Sequence, residues 1–331
     1  MLKRIIVLLS LVIFVSVGHG HVQAGGSGMA VIDADSGRLL FGTNPDAQLP
    51  IASLTKIWTA FVVLENSDLK DEVVISTRAT LSEGSSIYLE PGETTTIETL
   101  LYGLMLRSGN DAAYALSEHV GGSSEGFVKL MNDAALMYGL QNTYFTNSSG
   151  LHHEKHLSSA FDTATMLKVA MGNKEFERIA TTLVFQSDTA NGMSWSNKHK
   201  LLHSLTEAKA GKTGFTKVAG RTLATYFEKD GKRCIVVTLN QGNDWQVHAS
   251  AAEQVWQNYN IEVVAKPGKY RVSNKVVVKL DEPIQALLSK EERDEVRHIL
   301  YVPRKSKKND EGIWHVFLKD TRINFGSVRV Q

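Results

Sequence analysis

A single cysteine, Cys234, in a chain of 331 residues leaves no partner for an internal disulfide. It sits in Arg233-Cys234-Ile235-Val236-Val237-Thr238-Leu239, an apolar strand-like run, and reads as a small core residue rather than a reactive thiol. Charge of neither sign dominates: 36 basic residues stand against 35 acidic ones, so there is no global electrostatic case for binding nucleic acid. No apolar run after Ala24 is long enough to cross a bilayer. No internal repeat is present.

What is present begins with a three-part leader. Met1-Leu2-Lys3-Arg4 is basic, Ile5 to Val17 is apolar apart from Ser10 and Ser16, and Val22-Gln23-Ala24 offers small residues for cleavage. This is the pattern of a secretory signal over residues 1–24, with an extracytoplasmic product starting at Gly25. An uncleaved anchor is the rival reading. Without the leader the count becomes 34 basic to 35 acidic residues.

The rest divides by periodicity. Met29-Ala30-Val31-Ile32-Asp33 and Arg38-Leu39-Leu40-Phe41 flank the turn Asp35-Ser36-Gly37. From Ser53 to Met171 apolar residues recur at helical spacing, with stops at Gly121-Gly122 and Gly139. Strand patterns return at 212–217, 221–228 and 233–240, the last two joined by a Lys229-Asp230-Gly231-Lys232 turn, and 245–259 reads as a helix. The expectation is an α/β domain over residues 25–261. Its sheet is drawn from both ends of the segment and carries a helical insert. Alternation at 269–272, 275–280, 313–318 and 326–330 predicts a small β-rich domain over 262–331, with 305–310 a solvated loop.

Three motifs carry the chemistry. In Ser53-Leu54-Thr55-Lys56, a serine and a lysine three apart share a helix face, so the amine can reach the hydroxyl that needs a base. A second copy, Ser67-Asp68-Leu69-Lys70, follows the end of the apolar helix and reads as surface. Ser108-Gly109-Asn110 falls between helices; its plain reading is a connection with Asn110 or Asp111 as the cap. Lys212-Thr213-Gly214 lies on a strand, where Lys212 supplies charge, Thr213 a hydroxyl, and Gly214 room for a substrate backbone. The plain reading there is an edge strand with a protective lysine. The three occur in the order and contexts of the Ser-x-x-Lys, Ser-x-Asn and Lys-Thr-Gly set of penicillin-recognising enzymes.

On those motifs the chain resembles the serine D-Ala-D-Ala carboxypeptidases, the low-molecular-weight penicillin-binding proteins, from about Gly28 to Tyr259. Ile51 to Lys56, Glu83-Gly84-Ser85-Ser86-Ile87-Tyr88-Leu89, Leu101 to Gly122 and Lys212 to Thr216 carry the likeness, which is nearest to the sporulation-type enzymes of Gram-positive spore formers. The resemblance implies the penicillin-recognising serine-hydrolase fold, an antiparallel sheet with flanking helices. It implies stem peptides ending in D-Ala-D-Ala as substrate, β-lactams as inhibitors, and no cofactor or metal. Ser53 would be the nucleophile and Lys56 its base. Ser108, Asn110 and Lys212 would relay protons and hold the peptide. The N–H groups of Ser53 and Phe215 would bind the oxyanion, and Thr213 the terminal carboxylate. There are two departures. Lys198, before Leu201-Leu202, stands where relatives often have arginine, and is the candidate carboxylate clamp with Lys200 second. Val330-Gln331 closes a strand-like segment rather than an amphipathic anchor helix, which predicts a soluble or peripheral envelope protein.

Two rivals share the motifs. A β-lactamase would need a carboxylate to activate its deacylating water, and Glu154 is the candidate between the second and third motifs. A catalytically silent sensor would bind without turnover. His152-His153-x-x-His156 has a spacing that suggests zinc, but the serines on both sides favour a surface or structural loop.

Overall fold

The structure, a computed structural model, describes residues 26–331 except 274, 275 and 304. The expected leader and its cleavage point lie outside the described residues. Two strands open the fold, β1 (Gly28–Asp33) and β2 (Leu39–Thr43). The insert then runs through α1 (Thr55–Asn66), β3 (Glu72–Val74), α2 (Thr77–Thr80), β4 (Thr94–Thr96), α3 (Ile97–Tyr102), α4 (Asn110–Gly121), α5 (Ser124–Met137), α6 (Ala160–Met171) and α7 (Lys174–Ala180). A small hairpin, β5 (Val184–Gln186) with β6 (Ser194–Ser196), and the short α8 (Lys200–Ser204) lead back to the sheet. There β7 (Ala208–Thr216), β8 (Gly220–Lys229) and β9 (Lys232–Leu239) precede α9 (Asp244–Asn258).

The sheet order is β2-β1-β9-β8-β7, with every neighbouring pair antiparallel. The two ends of the segment therefore build one sheet. β1 and β9 are almost wholly buried, which explains why both read as continuous apolar runs rather than alternating ones. Cys234 is fully buried on β9, and burial raises its thiol pKa far above the ordinary value. On the insert side, α1 buries every residue from Thr55 to Val63 and so forms the hub of the helical layer. Gly122 (φ 68°) ends α4 in the left-handed conformation that glycine adopts without strain.

Two short pairs, β3 with β4 and β5 with β6, were not visible as strands, because three residues are too few to show a period. Beyond α9 the chain forms β10 (Tyr259–Ala265), β11 (Gly268–Ser273), β12 (Val276–Leu280), β13 (Ile284–Ser289), β14 (Val296–Tyr301), β15 (Glu311–Leu318) and β16 (Thr321–Val330). Five of these make a second sheet, β11-β12-β16-β15-β14, over its own core of Val278, Leu280, Trp314, Val316 and Val328. β10 pairs with β13 and passes through residue 261, where the sequence suggested a division. Arg38 bridges the two parts. Its guanidinium donates to both Glu292 carboxylate oxygens, at 2.8 and 2.7 Å, and to the Leu287 carbonyl at 2.7 Å.

Candidate active site

Ser53 lies in a 3₁₀ turn, Ala52–Leu54, immediately ahead of α1 rather than inside it. Ala52 holds φ +48°, a left-handed conformation that costs energy for a residue with a side chain. The turn is pinned from outside: a Cβ on Gly150 would fall 1.9 Å from the Ala52 carbonyl oxygen. His156 braces the same turn, its Nε2 lying 2.8 Å from the Thr55 hydroxyl while its Nδ1 accepts from the Thr146 N–H at 3.1 Å. His156 is thus committed to holding two segments together, and His152 and His153 are exposed.

Lys56 is fully buried, and its amine is surrounded in a specific way. Nζ lies 2.6 Å from Asn110 Oδ1, 2.5 Å from the Ser149 carbonyl oxygen and 3.3 Å from Ser53 Oγ. The two shorter contacts are to pure acceptors, which would take both protons of a neutral amine and leave its lone pair for the Ser53 hydroxyl. Burial lowers the Lys56 pKa well below the usual lysine range, and the nearby cations Lys212 and then Lys198 lower it further. Lys212, on β7, is 2% exposed; burial and then Lys198 bring its pKa down to about 7. Its Nζ donates to the Thr213 carbonyl at 3.0 Å.

Ser108 follows a turn of π-helix, Gly103–Arg107, and takes φ +65°. The Gly109 N–H reaches back to the Gly103 carbonyl at 3.2 Å and closes the wide turn. Gly103 lets Ile87 and Trp195 pack close, since a Cβ there would meet Ile87 Cδ1 at 2.5 Å and Trp195 Cη2 at 3.3 Å. Neither Asn110 nor Asp111 caps α4; Gly109 occupies the cap position. Asn110 is instead turned to Lys56 and to the Glu83 carbonyl. The buried Asp111 carboxylate accepts from the N–H groups of Ile87 and Leu89 and from the Ser86 hydroxyl, fixing the 83–89 loop. The capping reading fails because the helix begins at Asn110, which puts both residues inside its first turn; there Asp111 also accepts from the Ala112 N–H at 2.9 Å.

These pieces share a cleft of about 360 Å³ lined by Ser53, Ser108, Lys198, Thr213, Gly214 and Phe215. Gly214 lines the cleft, and a Cβ there would stand 2.4 Å from Thr222 Oγ1 and 2.9 Å from the Ser53 nitrogen, so the position also lets β7 pack close against the nucleophile turn. Lys198 Nζ donates to Ser85 Oγ at 3.4 Å; Lys200 does not line the cleft. Glu154 is exposed and also lies outside it. Ser67 caps the end of α1 by donating to the Val63 carbonyl at 2.7 Å, and Lys70 is exposed.

Several participants escaped sequence reading. Ser149 contributes only its carbonyl, which any residue could supply. Ser85, Arg221, Asp244 and Trp245 line the cleft but come from a loop, the start of β8 and the first turn of α9, whose meeting depends on register.

Comparison with known proteins points one way. The model of the S11 peptidase family, D-alanyl-D-alanine carboxypeptidases, matches residues 17–243. The chain is 33% identical over 232 residues to the D-alanyl-D-alanine carboxypeptidase DacF of Bacillus subtilis, covering 68% of this chain and 60% of that one. It is 33% identical over 213 residues to DacB2 of Mycobacterium tuberculosis, covering 63% and 72%. The match therefore spans about three-fifths of the length of the Bacillus relative. A solved D-alanyl-D-alanine carboxypeptidase from M. tuberculosis superposes with TM-score 0.66 at 30% identity, covering 73% of this chain and 95% of its own. Penicillin-binding protein 5 of Haemophilus influenzae, 24% identical, superposes with TM-score 0.75 over 95% of this chain and 98% of its own, so its fold extends through the second sheet.

Proposed function

We propose, from the premise that this chain belongs to the S11 family of D-alanyl-D-alanine carboxypeptidases, that it removes the terminal D-Ala from peptidoglycan stem peptides through an acyl-enzyme on Ser53. The observation that carries the reading is the buried Lys56 amine, held by two acceptors with its third direction toward Ser53 Oγ. A neutral lysine so placed can take the serine proton as the oxygen attacks the penultimate D-Ala carbonyl. The Ser53 and Phe215 N–H groups would hold the oxyanion; the close approach of Gly214 to the Ser53 nitrogen supports that pairing of β7 with the nucleophile turn. Ser108, whose hydroxyl no described residue engages, would pass the proton to the leaving D-Ala amine, with Lys212 as the cation beside it. Thr213 would face the substrate's carboxylate end, with Lys198 as a positive charge in the same cleft. Water then releases the shortened peptide.

A β-lactam offers the same carbonyl and a comparable carboxylate, so it would acylate Ser53 and be released slowly. The β-lactamase reading is weakened by the placement of Glu154 on the surface. The family match supports action on the cell wall, and the leader pattern supports export. Among the described residues no helix is long and apolar enough to cross a membrane. We assign residues 25–261 to the catalytic domain and 262–331 to a β-rich domain. The motif likeness to sporulation-type enzymes supports a role in the spore cortex, testable by the cortex muropeptides of a strain lacking the gene.

The direct test is D-Ala release from an N-acetylated lysyl-D-Ala-D-Ala peptide by wild type, Ser53→Ala and Ser67→Ala. Wild type and Ser67→Ala should release D-Ala at similar rates, and Ser53→Ala should release none above background. Release by Ser53→Ala would remove Ser53 from the mechanism. Penicillin binding without release by wild type would instead favour a sensor.

A further inference from the structure

Arg221 lines the cleft that holds Ser53 and Thr213, and stands on β8 opposite Phe215 of the Lys-Thr-Gly strand. It is built into the wall. Its Nε donates to Asp244 Oδ2 at 3.1 Å and its Nη2 to Asp244 Oδ1 at 2.7 Å. Asp244 is 2% exposed and is itself fixed, because Oδ1 also accepts from the Trp245 N–H at 2.9 Å. The guanidinium carbon lies 5.8 Å from the centre of the Trp245 ring, close enough for cation–π attraction.

A guanidinium has five N–H donors in a rigid fork. Asp244 takes the Nε–Nη2 edge. The outer edge, Nη1 with the remaining Nη2 hydrogen, has no partner among the described residues. The side chain is still 47% exposed, so that edge is reachable from the cleft. An arginine held on one edge and open on the next can bind a carboxylate through two parallel bonds. Lys198 offers less: a point charge on a flexible stem, whose one side-chain hydrogen bond among the described residues is the 3.4 Å contact to Ser85.

We propose that Arg221, aimed by Asp244 and Trp245, is the specificity residue that receives the substrate's terminal carboxylate together with the Thr213 hydroxyl. Lys198 then serves mainly as positive field beside Lys56 and Lys212. This deepens the carboxypeptidase reading and rests on it. A kinetic consequence separates a clamp from a structural brace. The terminal carboxylate departs with D-Ala when the acyl-enzyme forms. Arg221 therefore acts on acylation by peptide and not on hydrolysis of the acyl-enzyme.

The test compares wild type, Arg221→Gln, Arg221→Lys and Lys198→Ala on an N-acetylated lysyl-D-Ala-D-Ala peptide and on its C-terminal amide. Arg221→Gln should lower kcat/KM for the acid by about a hundredfold, the size of a lost charge-assisted pair, and change the amide by less than about threefold. Arg221→Lys should fall between the two. Lys198→Ala should affect acid and amide alike, and the deacylation rate of Arg221→Gln should match wild type. An unchanged acid-to-amide ratio in Arg221→Gln, an equal loss on both peptides, or slowed deacylation overturns the proposal. Loss of the ratio in Lys198→Ala alone would make Lys198 the clamp. No release from the acid peptide by wild type would sink the carboxypeptidase reading itself.

Discussion

At the residue scale, the decisive feature is that one lysine in a Ser-x-x-Lys repeat is dry and the other is wet. Lys56 is fully buried, and a charged ammonium there is opposed by desolvation and by Lys212 and Lys198. Lys70 is exposed to solvent. The apolar helix after Ser53 made the difference readable, because a lysine inside such a helix has nowhere wet to go. The acceptors that orient the amine were not readable: Ser149 offers a backbone oxygen, and Asn110 was equally good as a helix cap. Lys56→Arg should retain less than about 1% of wild-type acylation, because arginine stays charged at any working pH. Wild-type acylation should fall on acidification, since the lowered Lys56 pKa keeps the amine neutral only above that pKa. Stopped-flow acylation by a chromogenic β-lactam reads both effects. Near-normal acylation by Lys56→Arg would rule the amine out as base.

At the scale of elements, the strands and long helices were legible because burial imposes their periods. The contacts among β8, β9, α9 and the start of α8 were not, since they depend on register. One such contact is a buried string behind the Lys-Thr-Gly strand. Thr238 Oγ1 is 3.0 Å from His248 Nε2, His248 Nδ1 is 2.8 Å from Thr225 Oγ1, and Thr225 Oγ1 is 3.0 Å from His199 Nε2. His199 fills the space a Cβ on Gly211 would need, so it packs directly against the residue before Lys212. Burial holds His199 down to about 3 and His156 down to about 4, and places His248 well below the usual histidine range. Folded, these imidazoles are neutral; unfolded, they gain protons below about pH 6.5. The unfolded state then binds more protons, so stability falls with falling pH from about 6.5 toward the lowered values. Each histidine contributes about 1.4 kcal/mol per pH unit in that window. Urea midpoints should drop steeply between pH 6.5 and 5, with less drop in a folded His248→Gln variant. A flat profile would show that the imidazoles are already charged in the fold.

At the scale of the whole molecule, the β-rich part after α9 is tied to the catalytic part by Leu287, packed against Val31 and Val255, and by the ion pair of Arg38 with Glu292, in the 3₁₀ turn Glu291–Glu295 between β13 and β14. The sequence showed that a β-rich segment follows α9 but gave no sign of this tether, whose residues lie 254 positions apart. The Arg38 side chain is 6% exposed and that of Glu292 22%, and without Glu292 the guanidinium would keep only the Leu287 carbonyl and the Tyr259 ring. Glu292→Ala should therefore weaken docking of the β-rich part by about 1.5–3 kcal/mol, the size of a lost charge-assisted hydrogen bond. Calorimetry should resolve two thermal transitions where wild type shows one, while D-Ala release at room temperature stays near wild type. A single unshifted transition would mean that the tether carries no net stability.

The central claim is that this molecule becomes acylated at one serine out of many. Intact-mass analysis of the protein after brief exposure to penicillin, followed by peptide mapping of the adduct, tests it most directly. The prediction is one equivalent of drug, located on Ser53 and absent from Ser67. An adduct on any other residue, or no adduct on a folded protein, would contradict the account.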